Sequence, residues 1–239
     1  MLTRRQVAEL LAGIHGGRVL DVATGSGRFA RLLAESLAGY DEIIGVDNRA
    51  APLAAAGAGM NLPRVSFLRA DATALPFPDG AFDTVASSNS LHHLFNIDRT
   101  LTEMLRVLRS RGRIILAEMV AEADSPAQQV HHELHRLLAE LNRRSGIVHN
   151  PTLSRIELER LYRSLSLNEV QIFESAAQDA PVTDLDQLEF IRHIREELAA
   201  ARNQPEYPSW QHRAEELFEH VQEVGILSPN QLWLIGTKL

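Results

Sequence analysis

Short apolar runs alternate with amphipathic stretches along the first 120 residues, and this alternation restricts the fold more than any other feature. Strand-like runs are predicted at 18–23, 42–47, 64–70, 81–87 and 113–119, and helices at 27–37, 49–57 and 97–109. Short buried strands separated by helices are typical of a parallel sheet that is covered by helices on both faces. The sequence therefore predicts an α/β fold.

The pattern changes after residue 120. Long helical stretches follow, and only two further strand-like runs, at 169–174 and 231–237, are predicted. We expect these two strands to form an antiparallel pair at the edge of the sheet. The predicted fold class is thus α/β, a doubly wound Rossmann-like sheet of seven strands, mostly parallel with an antiparallel terminal strand.

Residues 1–239 are expected to form a single domain with helical insertions at about 121–150 and 176–227. Ligands of doubly wound folds bind at the carboxyl ends of the strands. Helices inserted after the late strands are placed to cover that edge as a lid over the acceptor. Structural padding or a dimer surface is the alternative role of these helices.

The composition excludes several kinds of chemistry. The 239 residues contain no cysteine, which excludes a thiolate nucleophile, a disulfide and a cysteine-ligated metal cluster. A net charge of −7 and the lack of a long basic run argue against nucleic acid as a partner. No apolar run reaches membrane-spanning length and the amino terminus lacks a signal-peptide core, so a cytoplasmic protein without a membrane span is expected.

A glycine-rich turn follows the first predicted strand, in the segment Leu20-Asp21-Val22-Ala23-Thr24-Gly25-Ser26-Gly27. Glycines let a ligand approach the backbone, and the helix that follows presents free N–H groups. With Ala30, the turn also fits the dinucleotide-binding pattern, so a nicotinamide-dependent oxidoreductase is one alternative.

Three aspartates end the first three predicted strands. Asp21 precedes the glycine turn, where a carboxylate suits a cationic ligand better than a pyrophosphate. The alternative is that Asp21 is an internal acceptor for the N–H groups of the loop. Asp47 is placed to accept hydrogen bonds from both hydroxyls of a ribose, and Asp71 to accept one from the amino group of an adenine. A ligand with an amino acid, a ribose and an adenine but no phosphate fits this row of acids. S-adenosylmethionine is such a ligand.

The sequence resembles the class I S-adenosylmethionine-dependent methyltransferases, in particular the type 11 subgroup around the ubiquinone/menaquinone biosynthesis C-methyltransferases. The resemblance covers about residues 15–120. It rests on the turn segment above, on Gly45-Val46-Asp47, on the stretch from Asp71 to Asp79, on Phe82-Asp83-Thr84-Val85, on Leu91-His92-His93-Leu94 and on the stretch from Glu103 to Leu108. One departure is Ser110-Arg111-Gly112, where the family commonly has Pro-Gly-Gly.

The resemblance implies a role for each matched position. A first group would surround the methionine portion of the cofactor: Asp21, Ala23, Gly25, Ser26 and Gly27. Asp47 and Asn48 would hold the ribose, and Asp71 and Ala72 the adenine. Ser88 and Asn89 would line the cofactor or acceptor pocket. For Asp71, capping of the following turn remains the alternative.

The histidines are less easily assigned. His92 and His93 follow the fourth strand near the expected point of methyl transfer, where a neutral imidazole can accept a proton. They are the candidate catalytic residues, and closing the loop is their alternative role. His131 and His135 have a spacing that can bind a metal, but no third ligand is evident, so no metal is predicted.

The expected function is methyl transfer from S-adenosylmethionine to a small organic acceptor by in-line displacement. A non-catalytic regulatory protein that binds S-adenosylmethionine, with the helical insertions forming a homodimer interface, is the alternative from a different class.

Overall fold

A seven-stranded sheet forms the centre of the computed structural model, which describes residues 1–176 and 185–239, the side chains of the second range from Glu189 onward. The strands are β1 (Arg18–Val22), β2 (Glu42–Asp47), β3 (Val65–Arg69), β4 (Phe82–Ser88), β5 (Leu108–Met119), β6 (Leu167–Ser175) and β7 (Gln231–Lys238). Their order is β3-β2-β1-β4-β5-β7-β6. Only β7 is antiparallel to its neighbours, β5 and β6. The predicted seven-stranded, mostly parallel sheet is confirmed.

Eight helices accompany the sheet in the described residues: α1 (Arg4–Leu11), α2 (Arg28–Ser36), α3 (Ala50–Gly59), α4 (Ile97–Val107), α5 (Pro126–Arg144), α6 (Arg155–Ser164), α7 (Leu185–Ala200) and α8 (Tyr207–Val224). Polar caps set several of their starts. The Thr3 hydroxyl accepts the Gln6 N–H while the Gln6 side chain accepts the Thr3 N–H, and Ser154 and Glu157 form the same capping box.

Two apolar layers cover the sheet, because successive strand residues point to opposite faces. Leu20 and Val22 of β1 belong to one layer, with Met104 of α4 and Tyr162 of α6. Val19, which precedes Leu20, belongs to the other layer, which α1 and α2 complete. Parallel strands that are buried on both faces explain the continuous apolar runs in the sequence.

In the second half of the chain, α5, α7 and α8 form a third apolar cluster, and we call these three helices the helical layer. Leu134, Ile194 and Trp210 lie in it, each at most 6% exposed. The connections to these helices leave the carboxyl ends of β5 and β6, so the layer is attached at that edge of the sheet. The predicted insertions at 121–150 and 176–227 correspond to it, except that residues 177–184 lie outside the described part of the chain.

The segment after α4 differs from the prediction. The helix predicted to reach residue 109 ends at Val107, and β5 already begins at Leu108. Asp83 explains this, because its carboxylate accepts from Arg109 Nε at 2.6 Å and holds the segment against β4. The Ser110–Gly112 turn is therefore an irregularity within β5, with Arg111 at a φ of +58°.

None of the helices in the described ranges combines the length and the apolar character that crossing a membrane requires.

Candidate functional site

The glycine-rich turn joins the carboxyl end of β1 to the first turn of α2. Gly25 and Gly27 both have positive φ, +54° and +79°, and Gly27 is the left-handed N-cap of α2. A Cβ on Gly27 would lie 2.9 Å from the Phe67 ring, whereas a Cβ on Gly25 would meet nothing within 4 Å. Packing therefore requires glycine at 27, while Gly25 faces open space from which a ligand can approach the backbone. Ser26 is exposed beside it.

Asp21 lies fully buried beneath this turn. Its Oδ2 accepts the Thr24 hydroxyl at 2.6 Å, and its Oδ1 has no partner among the described residues. Burial raises the pKa of the Asp21 carboxyl to about 7, against the lowering effect of the Thr24 hydrogen bond. Asp21 therefore braces the turn from the interior and keeps one acceptor oxygen free.

Asp47 fastens the end of β2 to the same turn. Its Oδ2 accepts the Gly25 N–H at 3.0 Å, and its Oδ1 accepts the Arg49 N–H at 2.9 Å. Each carboxylate oxygen can accept a second hydrogen bond. The half-buried Asp47 can thus hold the turn and a ligand hydroxyl together. The neighbouring Asn48 is exposed, and its carbonyl accepts from Arg69 Nε at 2.9 Å.

Asp71 follows β3 and is exposed. Its Oδ1 accepts both the N–H and the hydroxyl of Thr73 at 2.8 Å, which is the turn-capping interaction that the sequence left as the alternative. The half-buried Ala72 packs against the apolar layer that contains Leu20. The turn thus fixes Asp71 at the same edge of the sheet as Asp21 and Asp47, because β1, β2 and β3 are parallel neighbours.

Ser88 and Asn89 end β4 at this edge. Asn89 has a φ of +46°, and its Oδ1 accepts the Met119 N–H at 3.0 Å and the Gln231 side-chain amide at 3.1 Å. The exposed Asn89 therefore joins β4 to the ends of β5 and β7. Ser88 is half-buried and pairs with Ala117 of β5.

Methyltransferases are among the known proteins that this chain resembles. A family model described as a methyltransferase domain matches residues 20–116, which contain the end of β1, the glycine turn, β2 to β4 and most of β5. A demethylmenaquinone methyltransferase of Thermus thermophilus is 39% identical over 117 residues, covering 48% of this chain and 53% of that protein. We refer to residues 20–116, which match this model, as the methyltransferase domain.

Other relatives of this methyltransferase domain extend the comparison. An O-methyltransferase of Aspergillus nomiae is 33% identical over 135 residues, covering 56% of this chain and 60% of that protein. The chain thus spans little more than half the length of these two relatives. A putative methyltransferase from Bacillus halodurans has the same fold, with a TM-score of 0.60 at 18% identity over 98% of both chains.

Glu118, near the carboxyl end of β5, holds a buried histidine in place. His92 is 2% exposed, and its Nδ1 lies 2.8 Å from Glu118 Oε1. The other Glu118 oxygen accepts the N–H groups of Ser90 and Leu91 at 2.9 and 2.8 Å. A carboxylate can only accept, so the His92 Nδ1–H donates and Nε2 keeps its lone pair. This Nε2 is buried without a partner in the described structure.

Four histidines converge next to Glu118, and we call them the histidine cluster: His92, His93, His135 and His149. Two hydrogen bonds attach the loop that carries His149: Asn150 donates its N–H to the His92 carbonyl at 2.7 Å and its side-chain amide to the Leu94 carbonyl at 3.0 Å. His149 is 1% exposed, and His93 is exposed. Burial, together with the neighbouring His92, lowers the pKa of His149 to about 3.

Sequence reasoning missed Glu118 and His149. A single carboxylate in the apolar run Ile114-Ile115-Leu116-Ala117-Glu118 was a usable signal, because an unpaired buried carboxylate is costly and must find donors. His149 gave no comparable signal, since it lies in a loop 57 residues after His92.

Helix α7 contacts the first residue after the glycine-rich turn. Arg28, the first residue of α2, donates from Nη2 to Glu189 Oε2 at 2.6 Å. The helical layer therefore contacts the chain one residue beyond Gly27.

Proposed function

We propose that the chain catalyses methyl transfer from S-adenosylmethionine to a small organic acceptor. The observation that carries this proposal is that the Asp47 carboxylate holds the glycine-rich turn and can still accept a hydrogen bond from a ligand. Its carboxylate fixes the Gly25 N–H at 3.0 Å and retains acceptor capacity at the carboxyl edge of the sheet. The methyltransferase domain match and the relatives' names support the same activity.

The residues present fit the cofactor. Gly25 leaves open space above the turn, and Asp21 keeps an unpartnered acceptor oxygen beneath it. In this proposal, backbone groups of Ala23, Gly25, Ser26 and Gly27 surround the methionine portion. Asp47 and Asn48 hold the ribose, Asp71 and Ala72 hold the adenine, and Ser88 and Asn89 line the pocket.

S-adenosylmethionine supplies an already activated methyl group when it is bound. The chain's own tasks are to align the acceptor, to exclude water and to remove a proton where the acceptor carries one. His92 and His93 are the proposed catalytic residues, because they follow β4 at the edge that carries the aspartates. Glu118 fixes the orientation of the His92 ring.

The helical layer is the proposed lid over the acceptor. It is attached at the carboxyl edge of the sheet and touches the end of the glycine-rich turn through Arg28 and Glu189. A net charge of −7 disfavours nucleic acid as the acceptor. A cytoplasmic location belongs to the same proposal, whereas a homodimer formed through the helical layer belongs to the regulatory alternative.

Calorimetric titration with S-adenosylhomocysteine tests the cofactor site. We expect Asp47→Ala to weaken binding by more than about tenfold, a loss of ~1.4 kcal/mol or more, because it removes the ribose acceptor and frees the turn. Asp41→Ala is the matched control, since Asp41 is an exposed aspartate just before the other end of β2 and should leave affinity unchanged. Wild-type affinity in Asp47→Ala would refute the site.

Turnover is tested separately. Formation of S-adenosylhomocysteine from S-adenosylmethionine is measured with fractionated small molecules from a cell extract. Tight cofactor binding without turnover in any fraction would favour the regulatory alternative.

A further inference from the structure

The histidine cluster brings imidazole nitrogens to one point in the molecule. His92, His93 and His149 can each place a ring nitrogen within 4.8 Å of the other two. The Nε2 of His135 lies 3.2 Å from the Nε2 of His149. Three of the four rings are at most 7% exposed, so their nitrogens have little access to solvent.

Two of these rings are oriented by a hydrogen bond at the ring nitrogen that points away from the cluster. Glu118 accepts from His92 Nδ1 at 2.8 Å, and Asn142 lies 2.9 Å from His149 Nδ1. Metal-binding histidines are commonly held in this way, by a hydrogen bond from the nitrogen that does not face the ion. The His92 Nε2, which this arrangement leaves free, has no partner among the described residues.

Asn142 supplies an independent observation. As placed, its Nδ2 faces His149 Nδ1, and its buried Oδ1 has no partner in the described structure. The oxygen and nitrogen of an amide are nearly equal in shape, so rotating the group by half a turn exchanges them. The Asn142 oxygen then accepts the His149 Nδ1–H, and His149 Nε2 presents a lone pair to the cluster.

In this tautomer, the His149 Nε2 lone pair needs a partner, which is either the Nε2–H of a neutral His135 or a cation that both rings bind. Two lone pairs that face each other at 3.2 Å repel unless a proton or a cation lies between them. Ligand nitrogens about 2.0–2.1 Å from a tetrahedral Zn²⁺ are roughly 3.3 Å apart, which is close to the observed separation. Imidazole favours Zn²⁺, Cu²⁺, Ni²⁺ or Fe²⁺ over Mg²⁺ and Ca²⁺, which prefer oxygen ligands.

We propose that the histidine cluster binds one divalent transition-metal ion of the Zn²⁺ type. Glu118 and Asn142 orient the ligand rings, and Glu118 supplies a compensating negative charge. Arg143, whose Nη1 donates to the His149 carbonyl at 3.0 Å, is a positive charge nearby that this carboxylate must offset. The site goes beyond methyl transfer. An ion held there occupies ring nitrogens of His92 and His93, so the proton-accepting role proposed for these two histidines applies to the metal-free protein. The site also replaces the expectation of no metal, which rested on the lack of a third ligand near His131 and His135.

Metal titration of tag-free protein, after dialysis against a chelator, tests the proposal. We expect one Zn²⁺ per chain by calorimetry, and Co²⁺ should give the intense visible absorption of a tetrahedral site. His149→Asn and His93→Ala should each weaken Zn²⁺ binding by about tenfold or more, and Asn142→Leu by about 10- to 100-fold. His93 is exposed, so His93→Ala tests the ligand without disturbing the core.

His212→Ala is the matched control, because His212 is a 75% exposed histidine on α8 outside the cluster. It should leave Zn²⁺ binding unchanged, and near-ultraviolet circular dichroism should confirm that every variant is folded. The proposal is overturned by the absence of stoichiometric binding, by a weak octahedral Co²⁺ spectrum, or by binding that survives both histidine substitutions. None of these outcomes depends on the cofactor test above.

Discussion

At the scale of single residues, the aspartates around the glycine turn differ in their surroundings. Asp21 is buried, Asp47 is half-buried and Asp71 is exposed. The degree of burial determines which of these carboxylates carries an electrostatic cost. Asp21 carries that cost, because one of its oxygens has no donor in the described structure.

Replacing Asp21 should change how stability depends on pH. The pKa of this carboxyl is about 7 in the fold and near 3.8 when unperturbed. Between these values the folded state binds more protons than the unfolded state, so the contribution of Asp21 to the free energy of unfolding falls as pH rises. At about 1.36 kcal/mol per pH unit, the total change is at most about 4 kcal/mol. Asp21→Asn should therefore gain stability relative to wild type from pH 4 to pH 7.

Urea unfolding of both proteins across this range measures the difference. The buried histidines have lowered pKa values, so they make the fold lose stability as pH falls below about 6.5. Their contribution to the free energy of unfolding cancels when the variant is compared with wild type. Asp41→Asn is the control, since Asp41 is exposed. A pH-independent difference between Asp21→Asn and wild type would show that Asp21 is ionised throughout.

At the scale of elements, periodicity predicted each strand and helix, because amphipathic spacing is local information. The strand predicted at 42–47 matches β2 at both ends. The predicted end of an element is wrong where a residue distant in sequence determines it. Asp83 binds Arg109, and α4 therefore ends earlier than predicted. The aspartates could be selected as candidate site residues from the sequence because they end predicted strands. The histidine cluster could not, because it depends on contacts between elements far apart in sequence.

Glu118 illustrates how one side chain connects two elements. It lies on β5 and accepts three hydrogen bonds from the turn after β4, all of them buried. Glu118→Gln should lower the free energy of unfolding by about 1–3 kcal/mol, because the amide NH2 cannot accept and leaves one donor unsatisfied. Urea unfolding measures this loss. Glu216→Gln, at a 64% exposed glutamate on α8, is the control. A loss as small as that of the control would mean that water replaces the carboxylate.

At the scale of the whole molecule, the methyltransferase domain and the helical layer have separate apolar clusters. The fold class and the antiparallel strand pair at the edge were predicted from the alternation of elements and from the rules of α/β topology, whereas the strand order was not predicted. The packing of α5, α7 and α8 was not predictable, because amphipathic helices fit many partners. The contact between Arg28 and Glu189 shows which part of the sheet this layer approaches.

The proposed lid predicts that Glu189 affects ligand exchange more than stability. Both partners are more than half exposed, at 58% and 53%, so Glu189→Ala should change the free energy of unfolding by less than about 1 kcal/mol. Loosening α7 from the end of the glycine-rich turn should nevertheless speed the dissociation of S-adenosylhomocysteine, which stopped-flow fluorescence measures. Glu196→Ala is the matched control, because Glu196 pairs with Arg192 on the same helix and is 61% exposed. Equal dissociation rates in the two variants would mean that α7 does not cover the bound ligand.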